Sequence, residues 1–244
     1  MAEYLFKFQG KASGGKITCE ASDADIRNLV IGEGKIVIIK GIFPGDPLLA
    51  ARDAVHAWAQ KTAAHPHGQP IPDTNYHSVE IGISKFQKTL HAYHSFNFNQ
   101  LHSLEDKAMR EQLLEIWSPM REFQNRITER SSGWEWDGDK RKLHPQVIQY
   151  PCGGGHFAAH THPFDPQKMG LILAISKRGT DFDTGGTGFE MPDKTGVDTS
   201  PHHDLGDMIL FRYDVRHWIS TVNLEEKMDL ASKRGRWTMV LPYY

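Results

Sequence analysis

From Gln146 onward the chain breaks into short apolar runs: Gln146–Tyr150, Leu171–Ser176, Gly188–Met191, Met208–Arg212, Trp218–Val222 and Trp237–Leu241. Gly, Asp and Pro stand between them. Runs this short, stopped this often by turn-forming residues, are strands rather than helices. A succession of short strands has to protect its edges and bury one face of each sheet, and a double-sheet jelly-roll barrel does both. The sequence therefore predicts a mainly β core over residues 146–244, with no internal repeat and no low-complexity segment.

Residues 1–145 have another texture. Lys35-Ile36-Val37-Ile38-Ile39-Lys40 is a β-branched run between Gly34 and Gly41 and reads as a buried strand. Asp46 can cap a helix with Pro47 in its first turn, followed at helical spacing by Leu48, Leu49, Ala51, Ala54, Val55 and Trp58. Such a helix packs on the outside of the barrel. Residues 65–78, with Pro and Gly near their start, read as an irregular loop. A second helix is expected from Ser103, with Asp106 in the reciprocal capping position. Its apolar stripe runs through Leu104, Met109, Leu113, Ile116, Trp117, Phe123 and Ile127, and Pro119 should break or kink it near Ser118. A chain of 244 residues accommodates all this in one domain, residues 1–145 supplying N-terminal strands and supporting helices.

Lys and Arg number 28 against 30 Asp and Glu, a net charge of −2. Binding to a phosphate backbone calls for clustered basic surface, so nucleic acid is not the expected partner. Lys140-Arg141-Lys142 reads as solvated charge. Two cysteines, Cys19 and Cys152, make no disulfide framework, and Met1-Ala2-Glu3-Tyr4-Leu5-Phe6-Lys7 lacks the apolar run of a secretion signal. No stretch approaches the length of a membrane span. A soluble protein of a reducing cytoplasm is expected, with Cys152 an unreactive small side chain. The oligomeric state is not legible.

The chemistry concentrates in three histidines. His160 and His162 close the segment Gly154-Gly155-His156-Phe157-Ala158-Ala159-His160-Thr161-His162, and i, i+2 spacing on a strand turns both imidazoles to one face. His217 ends Gly206-Asp207-Met208-Ile209-Leu210-Phe211-Arg212-Tyr213-Asp214-Val215-Arg216-His217, read as an apolar strand delivering an imidazole at its end. Neutral imidazole suits iron, copper, nickel and zinc alike, so the ligands leave the metal open.

Five segments in order resemble the Fe(II)/2-oxoglutarate-dependent oxygenases of the prolyl-hydroxylase type. They are Gln146-Val147-Ile148-Gln149-Tyr150; then Gly153-Gly154-Gly155-His156-Phe157 with His160-Thr161-His162; then Phe182-Asp183-Thr184-Gly185-Gly186-Thr187-Gly188-Phe189; then Gly206-Asp207 leading to His217; and last Gly235-Arg236-Trp237-Thr238. The resemblance implies a double-stranded β-helix, the cupin-like jelly roll, with Fe(II) at His160, His162 and His217. It also implies 2-oxoglutarate chelated to the iron, and O2 as the oxidant. Arg236 and Thr238 then match the pair that holds the far carboxylate of 2-oxoglutarate, with Arg234 as runner-up and Tyr150 as a pocket hydrogen-bonding residue. Hydroxylation of a small molecule is the reaction implied.

One position departs from that pattern. His162 stands where most of the family has Asp or Glu, which removes a negative charge from around the metal. Three readings follow: a true three-histidine centre, a carboxylate supplied instead by Asp165 or Asp183, or a degenerate site that binds without catalysing. The spacing around His160, His162 and His217 also resembles the cupin motifs, although Pro166 and Gln167 occupy the place of the usual Glu. A three-histidine cupin dioxygenase that needs no 2-oxoglutarate is therefore the alternative function, and a metal or small-molecule binding protein is a third. His156, Asn97 and Asn99, with the stretches Gln87-Lys88-Thr89-Leu90-His91 and Phe96-Asn97-Phe98-Asn99, are the expected substrate-side residues. An amino acid or natural-product-like metabolite is the expected substrate. His91 with His94, and His202 with His203, read as chance pairs.

Overall fold

The computed structural model describes residues 3–66, 68–83, 88–138 and 141–243. His67, Gln87 and Lys140 lie outside the described residues. The strands are β1 Leu5–Ser13, β2 Lys16–Cys19, β3 Ile36–Lys40, β4 Tyr76–Ile83, β5 Leu90–Asn97, β6 Gln146–Pro151, β7 Gly155–His160, β8 Met169–Ala174, β9 Thr187–Glu190, β10 Gly196–Asp198, β11 Met208–Arg212, β12 Arg216–Val222 and β13 Gly235–Val240. The helices are α1 Asp23–Arg27, α2 Gly45–Ala59 and α3 Lys107–Thr128.

Two antiparallel four-stranded layers make the barrel, β6-β13-β8-β11 and β7-β12-β9-β10. This is the double-stranded β-helix. The N-terminal strands are part of it: β3 adds antiparallel to β11, and β1 then adds parallel to β3. β5 joins the layers at one corner, pairing His94–Asn97 with β6 and His91 and Ala92 with β7.

Side-chain parity explains why the first layer reads as continuous apolar sequence. Val147, Leu171, Leu173, Leu210, Trp237 and Met239 point outward into the core shared with α2 and α3. Their neighbours Ile148, Tyr150, Ile172, Ile209 and Phe211 point inward, toward Phe189, Ile219 and Val222 of the second layer. A sheet covered on both faces has no polar side. The alternation carries Arg236 and Thr238 to the barrel interior, because Trp237 between them is fully buried on the helix side.

Several sequence expectations are corrected. α2 starts at Gly45 with Pro44 in the cap position and no side-chain cap, so Asp46 lies within the first turn. The second helix starts at Lys107, not Ser103; Leu101–Ser103 is a separate 3-10 turn, and Asp106 is the N-cap, accepting from the Met109 amide at 3.0 Å. α3 then runs unbroken through Pro119, because tertiary packing of Met109, Leu113, Trp117, Met120, Phe123 and Ile127 outweighs one lost backbone bond. The loop from residue 65 ends before Tyr76, where β4 begins. His217 is the second residue of a new strand, reached through a tight turn after Arg212, and not the end of a long one. Lys142 is buried and lies over Trp136, and its ammonium donates to the Asn99 carbonyl at 3.1 Å, so it is not solvated charge. Among the described residues no helix is long and apolar enough to cross a membrane.

Candidate active site

The second layer brings the three histidines together. β12 pairs antiparallel with β7 so that His217 and His160 are direct register partners, and their rings lie 4.3 Å apart. His162 comes from two residues beyond the end of β7, so it does not share a strand with His160 as the spacing predicts. Its ring is still 4.9 Å from His160 and 5.3 Å from His217. One ligand atom from each of the three lies within 4.8 Å of the other two, and no other group of three potential ligands is found among the described residues.

Tautomer and charge suit metal binding. The Nδ1 of His160 is 2.9 Å from the Ala158 carbonyl, and the Nδ1 of His217 is 2.9 Å from the Val215 carbonyl. A carbonyl accepts, so each Nδ1 carries the proton and each Nε2 presents a lone pair. Burial lowers the pKa of all three: His160 below its usual value, His162 to about 4 with His160 adding to the effect, and His217 well below. All are neutral at pH 7, which is the ligating form.

Across the barrel, Arg236 is buried at 3% exposure, with no carboxylate partner among the described residues. One guanidinium nitrogen donates to Thr187 Oγ1 on β9 at 2.7 Å, and another, Nη1, has no partner. A cation held from water without a counter-ion is costly, and burial pushes its pKa down to about 10. Thr238 lies beside it on the same face. Tyr150 is its register partner on β6, with the guanidinium 5.8 Å from the phenol ring. Burial raises the Tyr150 pKa to about 12 against the opposing pull of Arg236, so the phenol is a neutral donor. The three neutral imidazoles thus come from β7, β12 and the loop after β7, while Arg236, Thr238 and Tyr150 turn inward from the other layer.

Other expected residues lie elsewhere. Arg234 precedes β13, separated from its alternation by Gly235 at φ +143°, and pairs on the surface with Glu226 at 2.7 Å. Asp165 is exposed beside Arg130, and Asp183 is exposed and binds Asn223, so neither joins the histidines. Asn97 is buried in a saturated network, donating to Ser95 Oγ while its oxygen is shared by His144 and Gln146. Asn99 donates to the Pro72 carbonyl at 2.6 Å. Both asparagines brace the fold. His156 pairs with Ala92 of β5, and its Nδ1 lies 2.9 Å from the Gly154 carbonyl, outside the triad. Cys152 is buried, and burial raises its thiol pKa. His94 is hydrogen-bonded to His77, and His203 to the Asp207 carbonyl.

Sequence reasoning missed four contributors. Phe157 stacks on His160 at 4.1 Å and continues through Tyr93 at 5.5 Å to Tyr150, at 6.0 Å from Tyr93, as an aromatic wall beside the triad; His91 joins it at 5.5 Å from Phe157. A β-bulge between Phe157 and His160 puts both rings on one side, which strict alternation does not foresee. Thr187, the first residue of β9 after Gly185-Gly186, is the Arg236 partner. Tyr213 stacks on His162 at 4.3 Å and 9°.

No protein-family model matches the sequence, and no curated protein matches it. Solved structures do match the fold. A Pseudomonas putida prolyl-4-hydroxylase is 12% identical, covering 90% of this chain and 96% of its own, with a TM-score of 0.55. The α-ketoglutarate-dependent carbocyclase SnoK from nogalamycin biosynthesis is 11% identical over 92% of this chain and 84% of its own, TM-score 0.56. EctD from S. alaskensis, with 2-oxoglutarate and 5-hydroxyectoine, is 11% identical over 97% and 82%, TM-score 0.51. Nearly the whole chain therefore shares the double-stranded β-helix fold of these structures.

Proposed function

We propose that the whole chain works as one Fe(II)- and 2-oxoglutarate-dependent oxygenase that oxidises a C–H bond of a small-molecule substrate, hydroxylation being the default outcome. The observation that carries this reading over a keto-acid-independent dioxygenase is Arg236, a buried cation with an unpartnered Nη1 that strand alternation turns to the barrel interior. A dicarboxylate bound there supplies the missing counter-charge through charge-assisted hydrogen bonds, which is the geometry guanidinium favours.

His160, His162 and His217 would hold the metal, with Nε2 of His160 and His217 oriented by the Ala158 and Val215 carbonyls. When bound, iron supplies the activation of O2 coupled to decarboxylation of 2-oxoglutarate, giving succinate, CO2 and the oxidised substrate. The protein's own part is positioning. Thr187 holds Arg236 against the far carboxylate, Thr238 and the Tyr150 phenol offer further hydrogen bonds, and the wall of Phe157, Tyr93 and His91 keeps water from the reacting carbon. The absence of a carboxylate among the ligands leaves the centre one negative charge poorer than a His₂-carboxylate site. A metabolite substrate accords with EctD, whose structure contains 5-hydroxyectoine.

Succinate formation and oxygen uptake, assayed with and without Fe(II) and 2-oxoglutarate, test the reading. Succinate formation that depends on both is expected, with a sharply raised 2-oxoglutarate requirement in Arg236→Ala. Iron-loaded protein that does not bind 2-oxoglutarate overturns it.

A further inference from the structure

His160 and His217 are each fixed twice, by the strand that carries them and by an Nδ1 bond to a carbonyl two residues upstream. His162 has neither support. It lies beyond β7 on irregular backbone, and its ring makes no hydrogen bond among the described residues. What it has is Tyr213, a phenol lying parallel to the imidazole within 9° at 4.3 Å.

Tyr213 is itself well anchored. Its amide donates to the Lys168 carbonyl at 3.0 Å, and the Lys168 amide donates to the Phe164 carbonyl at 2.6 Å, so the turn bearing Tyr213 is tied to the loop that follows His162. The Arg212–Asp214 ion pair at 2.7 Å brackets the same turn, and Phe211 packs 6.3 Å away.

The geometry points to Tyr213 as the positioning residue for the third metal ligand, doing by ring stacking what backbone carbonyls do for the other two. This rests on the reading of the triad as a metal site. Coordination to a divalent cation draws electron density from an imidazole, and the electron-rich face of a phenol then attracts it more strongly. The stack therefore stabilises the metal-bound form over the free form, and it fixes the plane of His162.

The test is anaerobic competition titration of the full chain with Fe(II), and separately with Zn(II). Tyr213→Leu is expected to weaken metal affinity about 10- to 100-fold, the usual effect of losing a group that orients a ligand. Tyr213→Phe keeps the ring and is expected to stay within about threefold of the wild type. In a His162→Ala background Tyr213→Leu should have no further effect, since its influence passes through that imidazole. Should Tyr213→Leu not fold, Tyr213→Met fills the space with a flexible, non-aromatic chain and is read the same way. Metal affinity unchanged in the Leu or Met variant overturns the proposal, as does an equal loss with and without His162. A wild-type chain that binds neither metal overturns the metal reading itself, and this proposal falls with it.

Discussion

At Arg236 a single side chain carries most of the case for a dicarboxylate ligand. Removing one partner of a buried charge pair costs about 2–5 kcal/mol, so Arg236→Ala should weaken 2-oxoglutarate binding on the order of 100-fold by calorimetric titration. Arg236→Lys should recover little of it, because an ammonium lacks the planar fork. Thr187→Val removes the hydroxyl that accepts from the guanidinium at 2.7 Å. A several-fold loss of 2-oxoglutarate affinity is expected there, with Fe(II) affinity unchanged. Arg236 and Thr238 were singled out through the resemblance, and i, i+2 spacing accounts only for their sharing one face of β13. Thr187 was not, because it comes from a strand of the facing layer, and sequence does not display contacts between layers. Arg234, the runner-up to Arg236, is set apart from the alternation of β13 by Gly235, whose φ of +143° no ordinary strand residue adopts.

The strands set how these side chains meet. A Cβ on Gly235 would come within 2.4 Å of the Tyr150 carbonyl, so Gly235→Ala forces β13 away from β6 at the pair Arg236–Tyr150. A stability loss of about 1–3 kcal/mol in denaturant melts is expected. 2-Oxoglutarate affinity should fall with it while metal affinity holds, because the histidines belong to β7, β12 and the loop after β7. Asp106→Ala, removing the α3 cap, should cost about 1 kcal/mol and leave both ligands' affinities unchanged. The core strands were readable as short apolar runs, β11 to its ends and the others to within two residues. β1, β2, β4, β5 and β10 were not read as strands, and β7 was read as one but carried two residues too far, to His162. β4 and β5 mix histidine, serine and asparagine with apolar residues, and their pairing with each other and with β6 and β7 makes them strands.

Over the whole molecule, buried histidines tie stability to pH. His94, His144 and His203 have pKa values pushed down to about 3, each mainly by burial. Unfolded, each titrates near about 6.5, so between those values the unfolded chain binds more protons than the native one. Stability is then full above about pH 6.5 and falls as pH drops toward 3, at up to about 1.4 kcal/mol per unit for each histidine. Urea midpoints measured from pH 7 to pH 4 should fall accordingly, and a flat profile would contradict the burial of these rings. His144→Gln should make the slope shallower.

The sequence by itself determined the fold class and the residue types of the site, because strand periodicity, turn chemistry and ligand spacing are local properties of a chain. The register that sets His217 opposite His160, the bulge that turns Phe157 toward them, the pairing of Arg236 with Thr187 and the stacking of Tyr213 on His162 belong to the tertiary structure. Each depends on elements far apart in sequence, whose relative placement is set by the packing of two sheets and by no local rule.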